Sequence, residues 1–593
     1  MPDPRSHPHP LPHTPAPTHA TGPGPGPGPG TNTDAHVLVV GAGPVGLTLA
    51  LDLARRGLTV RVLERSAGTF EGSRAKGLQP RTLEVLDDLG LAAEARAAGG
   101  PYPRMGVHLG PFTASWRLQR PAAVALGSPY PDLLLLPQYA LTALLHRAVV
   151  DGPAGRKVRV EFGITVEDVD QDAETASVRL SDGRTLRGRY VVGADGGGST
   201  VRRAAGIPFP GHTDDADRMI LADAVVDGLT RDRWHVWPRP GGRVTGACPL
   251  PGGDRFQLMF KLAPDEPAGP AELTEEALRD RLRHRTGNGS LTLRALGWTS
   301  VFRPNVRLAD RYRRGRVLLC GDAAHVYTPA GAQGLNTGVQ DAYNLGWKLR
   351  QVLAGAPDAL LDSYEGERRP IAARVLGRST ELYEGMRRGR PGALTRGREE
   401  HQLHLSYAGG PLAPPPPPGT DRARHRTNTL RPGDRAPDAA LPYGLQEAEL
   451  CPDGLTQGVL PGRDRLFDLT RGPHFTALAF GPRARAALDR LPWPTHGAPL
   501  HRHALLTPTP TNGGKAPAPP RATRRLRAER EERLMWHYGI TCDTLLILRP
   551  DGHLAHIDTA PGAPPTTTPA TVGSAATTAT ALPEALRAMT PPL

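Results

Sequence analysis

Three glycines at a characteristic spacing offer the first site for chemistry in this sequence. They lie in the segment Gly41-Ala-Gly43-Pro44-Val-Gly46. In such a segment the first glycine permits a tight turn, the second lets the backbone approach a pyrophosphate, and the third lets a helix pack closely on a strand. Free N–H groups at the start of the helix then attract the phosphate charge. The spacing therefore predicts that a dinucleotide pyrophosphate binds at this turn.

A carboxylate at a suitable distance along the chain strengthens this prediction. Glu64 lies 18 residues after Gly46, close to the roughly 20 residues that separate the turn from a ribose-binding acid. Its oxygens can accept ribose hydroxyls, each bond contributing about 1.5–3 kcal/mol. The motif alone does not distinguish NAD from FAD, and a glycine-rich turn without a ligand is the alternative.

The residues around the turn predict the elements that must hold it. The runs His36–Val40 and Val60–Leu63 are rich in β-branched residues and favour strands, whereas Leu47–Arg56 has the composition of a helix that ends at Gly57. Strand, turn, helix and strand within about 30 residues form one nucleotide-binding βαβ unit.

Two further apolar strands end in acidic turns. Tyr190–Gly193 breaks at Asp195-Gly196, and Val317–Leu319 leads into Gly321-Asp322. Each carboxylate also has a structural interpretation, since Asp195 could stabilise the turn after its strand and Asp322 could cap a helix.

Together, the three motifs resemble the group A flavoprotein monooxygenases, the para-hydroxybenzoate and phenol hydroxylase superfamily that includes aromatic polyketide hydroxylases. The resemblance covers about residues 35–375. It implies an α/β fold, in which a Rossmann-type FAD-binding domain carries an inserted β-sheet substrate domain. It also implies FAD as the cofactor.

The resemblance implies roles for individual residues. Asp322 would accept the ribityl hydroxyls of FAD, and the loop Pro329–Asn336 would pass the flavin ring, before a helix at Gly338–Leu349. Arg74 would approach the pyrophosphate. The cofactor-binding residues that we expect are Gly41, Gly43, Pro44, Gly46, Glu64, Arg65, Arg74, Gln138, Asp195, Gly321, Asp322, Pro329, Gly334, Leu335 and Asn336.

One position departs from the family pattern. The family loop often has two glycines before glutamine, whereas this chain has Gly331-Ala332-Gln333. A methyl group is tolerated there only if the backbone φ of Ala332 is negative.

The reaction that the resemblance implies is hydroxylation of a small aromatic substrate. NADH or NADPH reduces FAD, dioxygen adds at the flavin C4a, and the hydroperoxide transfers OH to an electron-rich phenolic or polycyclic ring. No second Gly-x-Gly-x-x-Gly follows a strand, so we expect the nicotinamide to dock transiently. The catalytic base stays unassigned: His235, Tyr327 and Arg303 are unranked candidates, and a packing role for His325 is at least as well supported.

The substrate platform is expected at about residues 213–300. Its apolar runs, Met219–Val226, Phe256–Phe260 and Leu291–Val301, predict strands. Trp234 and Trp237 are three residues apart and would face opposite sides of a strand. Either could line an aromatic pocket or belong to the core.

Five regions are predicted along the chain. The fourth of them, at 426–560, resembles the thioredoxin-like domain of phenol hydroxylase-type members. Because it lacks C-x-x-C, we expect it to have a structural or dimer-stabilising role. The regions are a disordered Pro/His/Gly-rich tail at 1–34, the monooxygenase domain at 35–405, a Pro-rich linker at 406–425, the thioredoxin-like domain at 426–560 and a flexible tail at 561–593.

Composition narrows the remaining classes. The net charge is +13 over 593 residues, but it is spread without Lys-rich blocks, so nucleic-acid binding is a remote alternative. Four separated cysteines and no C-x-x-C disfavour a zinc ribbon and thioredoxin-type redox chemistry, and we expect no bound metal. No apolar run is long enough for a membrane span. We expect a cytoplasmic protein. A Baeyer–Villiger-type oxygenase or another FAD oxidoreductase on the same scaffold remains the closer alternative, whereas Trp234-x-x-Trp237-Pro238 does not match the halogenase motif.

Overall fold

The structure is a computed structural model, and its described residues cover most of the two predicted domains. The predicted N-terminal tail up to residue 32, the linker from residue 414 and most of the C-terminal tail lie outside them. The described residues are 33–118, 127–388, 390, 397, 399–413, 430–441, 447–448, 457–458, 465–505, 534–535, 537–540, 543–559, 561 and 582–593.

An eight-stranded sheet, the first sheet, forms the base of the molecule. Its strands Ala35–Val40, Val60–Glu64 and Val317–Leu319 are largely buried on both faces, as apolar β-branched runs in a parallel sheet require. Antiparallel strands Arg313–Arg314, Ala176–Leu180 and Val166–Gln171 complete it. Five strands run parallel, in the spatial order Val317–Leu319, Thr185–Gly193, Ala35–Val40, Val60–Glu64 and Val158–Phe162.

Two helices pack closely over this sheet. Pro44–Arg55 starts with proline in its first turn, where no intrahelical N–H is needed. Gly334–Leu353 lies against it so tightly that a Cβ on Gly346 would come within 2.1 Å of an Asp52 carboxylate oxygen. The other α-helices before the C-terminal region are Pro80–Asp88, Ala92–Ala98, Gln138–Val150, Thr200–Ala204, Glu275–Thr286 and Ala359–Arg387.

A seven-stranded sheet, the second sheet, contains the predicted platform strands. One face packs on helix Glu275–Thr286 through buried side chains such as Leu258 and Leu282. Two strands at one edge come from before residue 120 and were not predicted. The strand order is Thr292–Phe302, Met219–Asp227, Arg255–Lys261, Val244–Pro249, Arg233–Pro238, Arg104–Leu109 and Phe112–Trp116.

Three small sheets accompany the first and second sheets. One contains Gly77–Leu78, Leu134–Leu135 and Gly100–Pro101. A second contains Gly211–Thr213, Asn305–Leu308 and His325–Val326, and a two-stranded pair joins Glu447–Ala448 to Gln457–Gly458.

The C-terminal sheet has four strands. Phe475–Phe480 lies in the interior, parallel to Leu500–Leu505 and antiparallel to Thr544–Leu548, which pairs with Leu554–Asp558. This order agrees with a thioredoxin-like sheet, although that assignment stays a prediction. The C-terminal helices are Leu466–Thr470, Pro482–Asp489 and Glu584–Arg587.

The expected α/β architecture of a Rossmann-type sheet with an added β-sheet is confirmed. Within the described ranges, no helix combines the length and the apolar character that crossing a membrane would need.

Candidate functional site

The three predicted motifs and Glu64 meet at one edge of the first sheet. Val40 pairs with Gly193 and with Leu63, and Gly193 pairs with Leu319, so the four neighbouring strands end level with one another. Because these strands are parallel, the turns that follow them lie side by side. The carboxyl ends of such strands are where open α/β sheets bind ligands.

The three glycines of the first turn are required for different reasons. Gly41 has a φ of 108°, and a Cβ there would lie 2.4 Å from the Ala194 carbonyl oxygen. A Cβ on Gly46 would lie 2.0 Å from the Gly41 oxygen. A Cβ on Gly43 would meet no protein atom within 4 Å. Packing therefore explains Gly41 and Gly46, whereas the space beside Gly43 is open for a ligand.

Glu64 is held at the end of its strand with its carboxylate directed at the glycine turn. It accepts the Ala42 N–H at 2.8 Å and the Ser66 N–H at 2.9 Å. A carboxylate has about four acceptor positions, so two remain for hydroxyl donors. Arg65 beside it is exposed, and Pro44 is buried in the first turn of the helix.

The Asp195 carboxylate is hydrogen-bonded to the start of the following helix. It accepts the Ser199 hydroxyl at 2.5 Å and the backbone N–H groups of Thr200 at 2.7 Å and Val201 at 3.2 Å. These contacts match the turn-stabilising alternative for this residue. Its predicted part in cofactor binding stays a prediction.

Gly321 and Asp322 lie directly beside the glycine turn. Gly321 has a φ of 62°, and a Cβ there would come within 3.0 Å of Val45. Asp322 lies within the short 3-10 turn Gly321–Ala323 and is not its N-cap, so the capping alternative does not apply. Its side chain is solvent-accessible, yet burial by the surrounding protein raises the carboxyl pKa, while the charges of His325 and Arg74 oppose that rise. An accessible carboxylate beside the glycine turn is suited to accept ligand hydroxyls.

The loop of residues 329–336, here called the ring loop, contradicts one expectation. Ala332 has a φ of 53°, so the condition of a negative φ is not met. A left-handed L-residue is strained by roughly 1–2 kcal/mol. The following helix begins at Gly334 instead of Gly338.

Asn336 ties the ring loop to the rest of the site. It is fully buried and donates to the Gly77 oxygen at 2.9 Å and to the Ala332 oxygen at 2.6 Å, and it accepts the Gln79 N–H at 2.8 Å. Of the other predicted loop residues, Pro329 is exposed, whereas Gly334 and Leu335 are half-buried.

Residues 70–79, the crossing segment, run from the second sheet to the ring loop. Ser73 donates to Asp223 of the second sheet through its N–H at 2.7 Å and through its hydroxyl. Gln138 begins its helix and exchanges hydrogen bonds with Ala75. Arg74, predicted near the pyrophosphate, is exposed and lies 5.8 Å from the Phe70 ring centroid. This segment therefore connects both halves of the site.

A polar cluster under the crossing segment escaped the sequence analysis. Lys76 donates to the Gln257 side chain, and Gln257 donates to the Ser73 oxygen at 2.6 Å. The register of the second sheet places Asp223, Gln257 and Cys248 on one face. The sequence carries no signal for this cluster, because Lys76 lies in a stretch with other charged residues, two positions after Arg74.

The two tryptophans lie on opposite faces, as predicted. Trp237 stacks on His108 at 4.7 Å, on the face that packs against helix Glu275–Thr286. Trp234 faces the crossing segment, where the Lys76 Nζ lies 4.4 Å from its ring centroid.

The candidate bases lie in different environments. His235 bonds to His108 at 2.9 Å and to the Thr230 oxygen at 2.8 Å, on the face of the second sheet turned away from the crossing segment. Arg303 is exposed and pairs with Asp215 at 3.5 Å. Burial raises the pKa of the Tyr327 hydroxyl well above its usual value. His325 is fully buried and bonded to Asp341, in keeping with a packing role.

These features together fit FAD. The open space at Gly43 suits a pyrophosphate, Glu64 has acceptors for ribose, and the accessible carboxylate of Asp322 suits a ribityl chain.

Comparison with known proteins agrees with this fit. A family model described as an FAD binding domain matches residues 34–379. A flavin-dependent monooxygenase of Mycobacteroides abscessus is 38% identical over 528 residues, which cover 87% of this chain and 96% of the relative. A 12-dehydrotetracycline 5-monooxygenase/anhydrotetracycline 6-monooxygenase of Streptomyces rimosus is 38% identical over 385 residues, 59% of this chain and 71% of the relative.

A solved structure matches at the level of the whole fold. It is a ternary complex of aklavinone-11 hydroxylase with FAD and aklavinone, with a TM-score of 0.70 and 26% identity, covering 89% of this chain and 96% of that chain. Because the family model covers more than half of the chain and a relative matches nearly throughout, this chain belongs to the family of FAD-dependent aromatic monooxygenases.

Proposed function

We propose that this protein is an NAD(P)H-dependent FAD monooxygenase that hydroxylates a phenolic or polycyclic aromatic compound. The observation that carries the proposal is the meeting of Gly43, Glu64 and Asp322 at one sheet edge, with the crossing segment joining that edge to the second sheet.

The residues of the site divide the work of holding the cofactor. The N–H groups at the start of helix Pro44–Arg55 bind the pyrophosphate, because the helix dipole favours negative charge there. Glu64 accepts the ribose hydroxyls and Asp322 accepts the ribityl hydroxyls. When bound, FAD supplies the transfer of electrons from NAD(P)H to dioxygen.

The second sheet and the ring loop hold the substrate and exclude water. The sheet face with Trp234 offers apolar area to an aromatic ring, and flavin oxygenation chemistry needs a dry site. The relatives support a large aromatic substrate, since one is named for 12-dehydrotetracycline and anhydrotetracycline and one is solved with aklavinone.

The cytoplasm is the proposed location of the enzyme. The described cysteines Cys248 and Cys320 are free and buried, which suits a reducing compartment.

The test is anaerobic reduction of the purified holoenzyme by NADPH or NADH with a panel of phenols and anhydrotetracycline, followed by admission of oxygen. We expect at least one aromatic compound to accelerate flavin reduction and to leave as a hydroxylated product. Reduction at one rate with every compound, without oxygenated product, would refute the proposal.

A further inference from the structure

The ammonium group of Lys76 lacks an ionic partner. Its Nζ donates to the Gln257 side-chain oxygen and lies 4.4 Å from the Trp234 ring centroid. Among the residues that the structure describes, no carboxylate oxygen lies within 4.0 Å of this nitrogen. A buried cation is ordinarily paired, so a lysine in this position needs an explanation.

Lys76 lies between the ring loop and the second sheet. The neighbouring Gly77 touches the ring loop, because a Cβ on it would lie 3.3 Å from the Ala332 methyl, and its carbonyl accepts the Asn336 amide at 2.9 Å. Gln257 and Trp234 belong to the second sheet. Lys76 is half-buried and so keeps accessible surface at this junction.

The surroundings favour the neutral amine. Desolvation lowers the pKa of Lys76, and the nearby Asp223 and Cys248 only oppose that effect. Burial raises the pKa of Asp223, whose carboxylate is bonded to Ser73, and raises the pKa of the Cys248 thiol to about 11. Both shifts weaken these groups as counterions of Lys76.

Other charged groups face this cluster from the second sheet and its connections. Arg255 acts on Asp223, and Arg231 acts on Cys248. Both are cations and so give the amine no reason to gain a proton.

On the basis of the proposed function, we propose that Lys76 is the base that ionises the ring hydroxyl of a phenolic substrate and then pairs with the phenolate. The O–H bond of the phenol breaks, its proton forms an N–H bond on Nζ, and the electron pair stays on the oxygen. No electron changes hands in this step. The ammonium gains the anion that the protein does not supply, and Gln257 and Trp234 position it.

The consequence for the substrate is specific. A phenolate is more electron-rich than a phenol and reacts faster with an electrophilic oxygen donor. The enzyme therefore selects aromatic compounds that carry an ionisable hydroxyl within reach of Lys76, and it ionises them at a pH where they are neutral in water.

The test uses the holoenzyme with 4-nitrophenol, whose ionised form absorbs visible light. For the wild-type protein we expect the pKa of the bound phenol to fall by about one unit or more, which is a factor of ten in ionisation. In Lys76→Met this shift is lost, and kcat/KM for any phenol that the wild type hydroxylates falls at least tenfold at neutral pH. The loss should shrink for phenols that are already ionised.

Lys261→Met is the matched control. Lys261 lies on the same strand as Gln257 but pairs with Asp217 at 3.4 Å, so its removal should leave the phenol titration unchanged. If Lys76→Met fails to load FAD, Lys76→Gln is measured in the same way.

The outcomes separate the two proposals. If the wild type hydroxylates a phenol but does not lower the pKa of bound 4-nitrophenol, or if Lys76→Met titrates and turns over like the wild type, the role of Lys76 is wrong and the proposed function stands. If no aromatic compound is hydroxylated by the wild type, the proposed function itself fails.

Discussion

At the scale of single residues, two glycines of one turn have opposite surroundings. A Cβ on Gly46 would clash with the Gly41 oxygen, whereas a Cβ on Gly43 would project into open space. Both belong to the same sequence motif, yet only Gly46 is enclosed by other protein atoms. A substitution at each position therefore separates folding from cofactor binding.

Gly43→Ala should fold normally and bind FAD poorly. Its Cβ meets no protein atom, and the φ of −73° suits alanine. We expect the apoprotein melting temperature to stay within about 2 °C of the wild type, because substitutions without a lost contact cost little. The Kd for FAD, measured by flavin fluorescence, should rise about tenfold or more. Gly46→Ala is the comparison, and it should lower stability as well.

Ala332→Gly should stabilise the protein. The left-handed φ of 53° costs alanine roughly 1–2 kcal/mol, and glycine returns part of this through its freer unfolded chain. We expect a net gain of about 0.5–1 kcal/mol in chemical denaturation. Ala330→Gly, at a buried position without a positive φ, should destabilise instead. Equal effects of the two changes would contradict the strain at Ala332.

At the scale of elements, the acidic turn after the strand Thr185–Gly193 serves as a helix cap. Asp195 accepts two backbone N–H groups of the helix Thr200–Ala204, and Ser199 accepts a third from Arg202 at 2.9 Å. The strand end and the helix start are thereby fixed against each other beside Gly41.

Asp195→Ala should reduce stability by about 0.5–2 kcal/mol, the usual range for a lost N-cap. Because the Ser199 hydroxyl also donates to Asp195, the double variant with Ser199→Ala should cost less than the sum of the two single changes. Urea denaturation of the four proteins measures this. Strict additivity would show that the two side chains do not act as one cap.

At the scale of the whole molecule, a buried ionic network fixes the C-terminal sheet to the first domain. Glu367 accepts Lys348 at 2.7 Å and Arg549 at 2.5 Å, and all three are buried. Arg549 also pairs with Asp551, which accepts the Trp347 indole at 3.1 Å. Trp347 packs edge-on against Phe475 of the C-terminal sheet, with ring centroids 5.8 Å apart. The C-terminal region is therefore structurally integrated with the helix that follows the ring loop.

Glu367→Gln should lower stability at neutral pH by about 3–5 kcal/mol, because it leaves Lys348 buried without its anion and leaves Arg549 with Asp551 alone. Burial opposes ionisation of Glu367, but the two cations outweigh it and lower its pKa from 4.5 to about 2. An unfolded chain therefore takes up the proton first as the pH falls. The stabilisation is fully present above about pH 4.5 and is lost towards pH 2.

Thermal unfolding from pH 6 to pH 3 measures this effect. The wild-type melting temperature should fall across this range, and the gap between the wild type and Glu367→Gln should narrow. A gap that stays constant with pH would show that the pKa of Glu367 is the same in the folded protein and in the unfolded chain.

Part of the fold and of the candidate site follows from the sequence. The glycine spacing, the strand runs and the acidic turns were predictable, because each depends on backbone geometry over a few residues. The helix Pro44–Arg55 and the strands Ala35–Val40 and Val60–Glu64 lie within a few residues of their predicted positions. The family followed from the order of these motifs.

Other features depend on contacts between distant parts of the chain. Ala332 has a positive φ in a ring loop held by hydrogen bonds such as that from Asn336 to the Ala332 oxygen, and the neighbouring residues do not predict this φ. The two cationic partners of Glu367, Lys348 and Arg549, come from separate parts of the chain.

Local sequence thus determined which turns can take a dinucleotide, since glycine and acid at fixed spacing have few other uses. Only the tertiary structure brought Lys76 to Gln257, 181 residues away, and left its ammonium without a carboxylate. Burial and the supply of counterions are properties of the assembled core, so the sequence pattern alone gave this lysine no special mark.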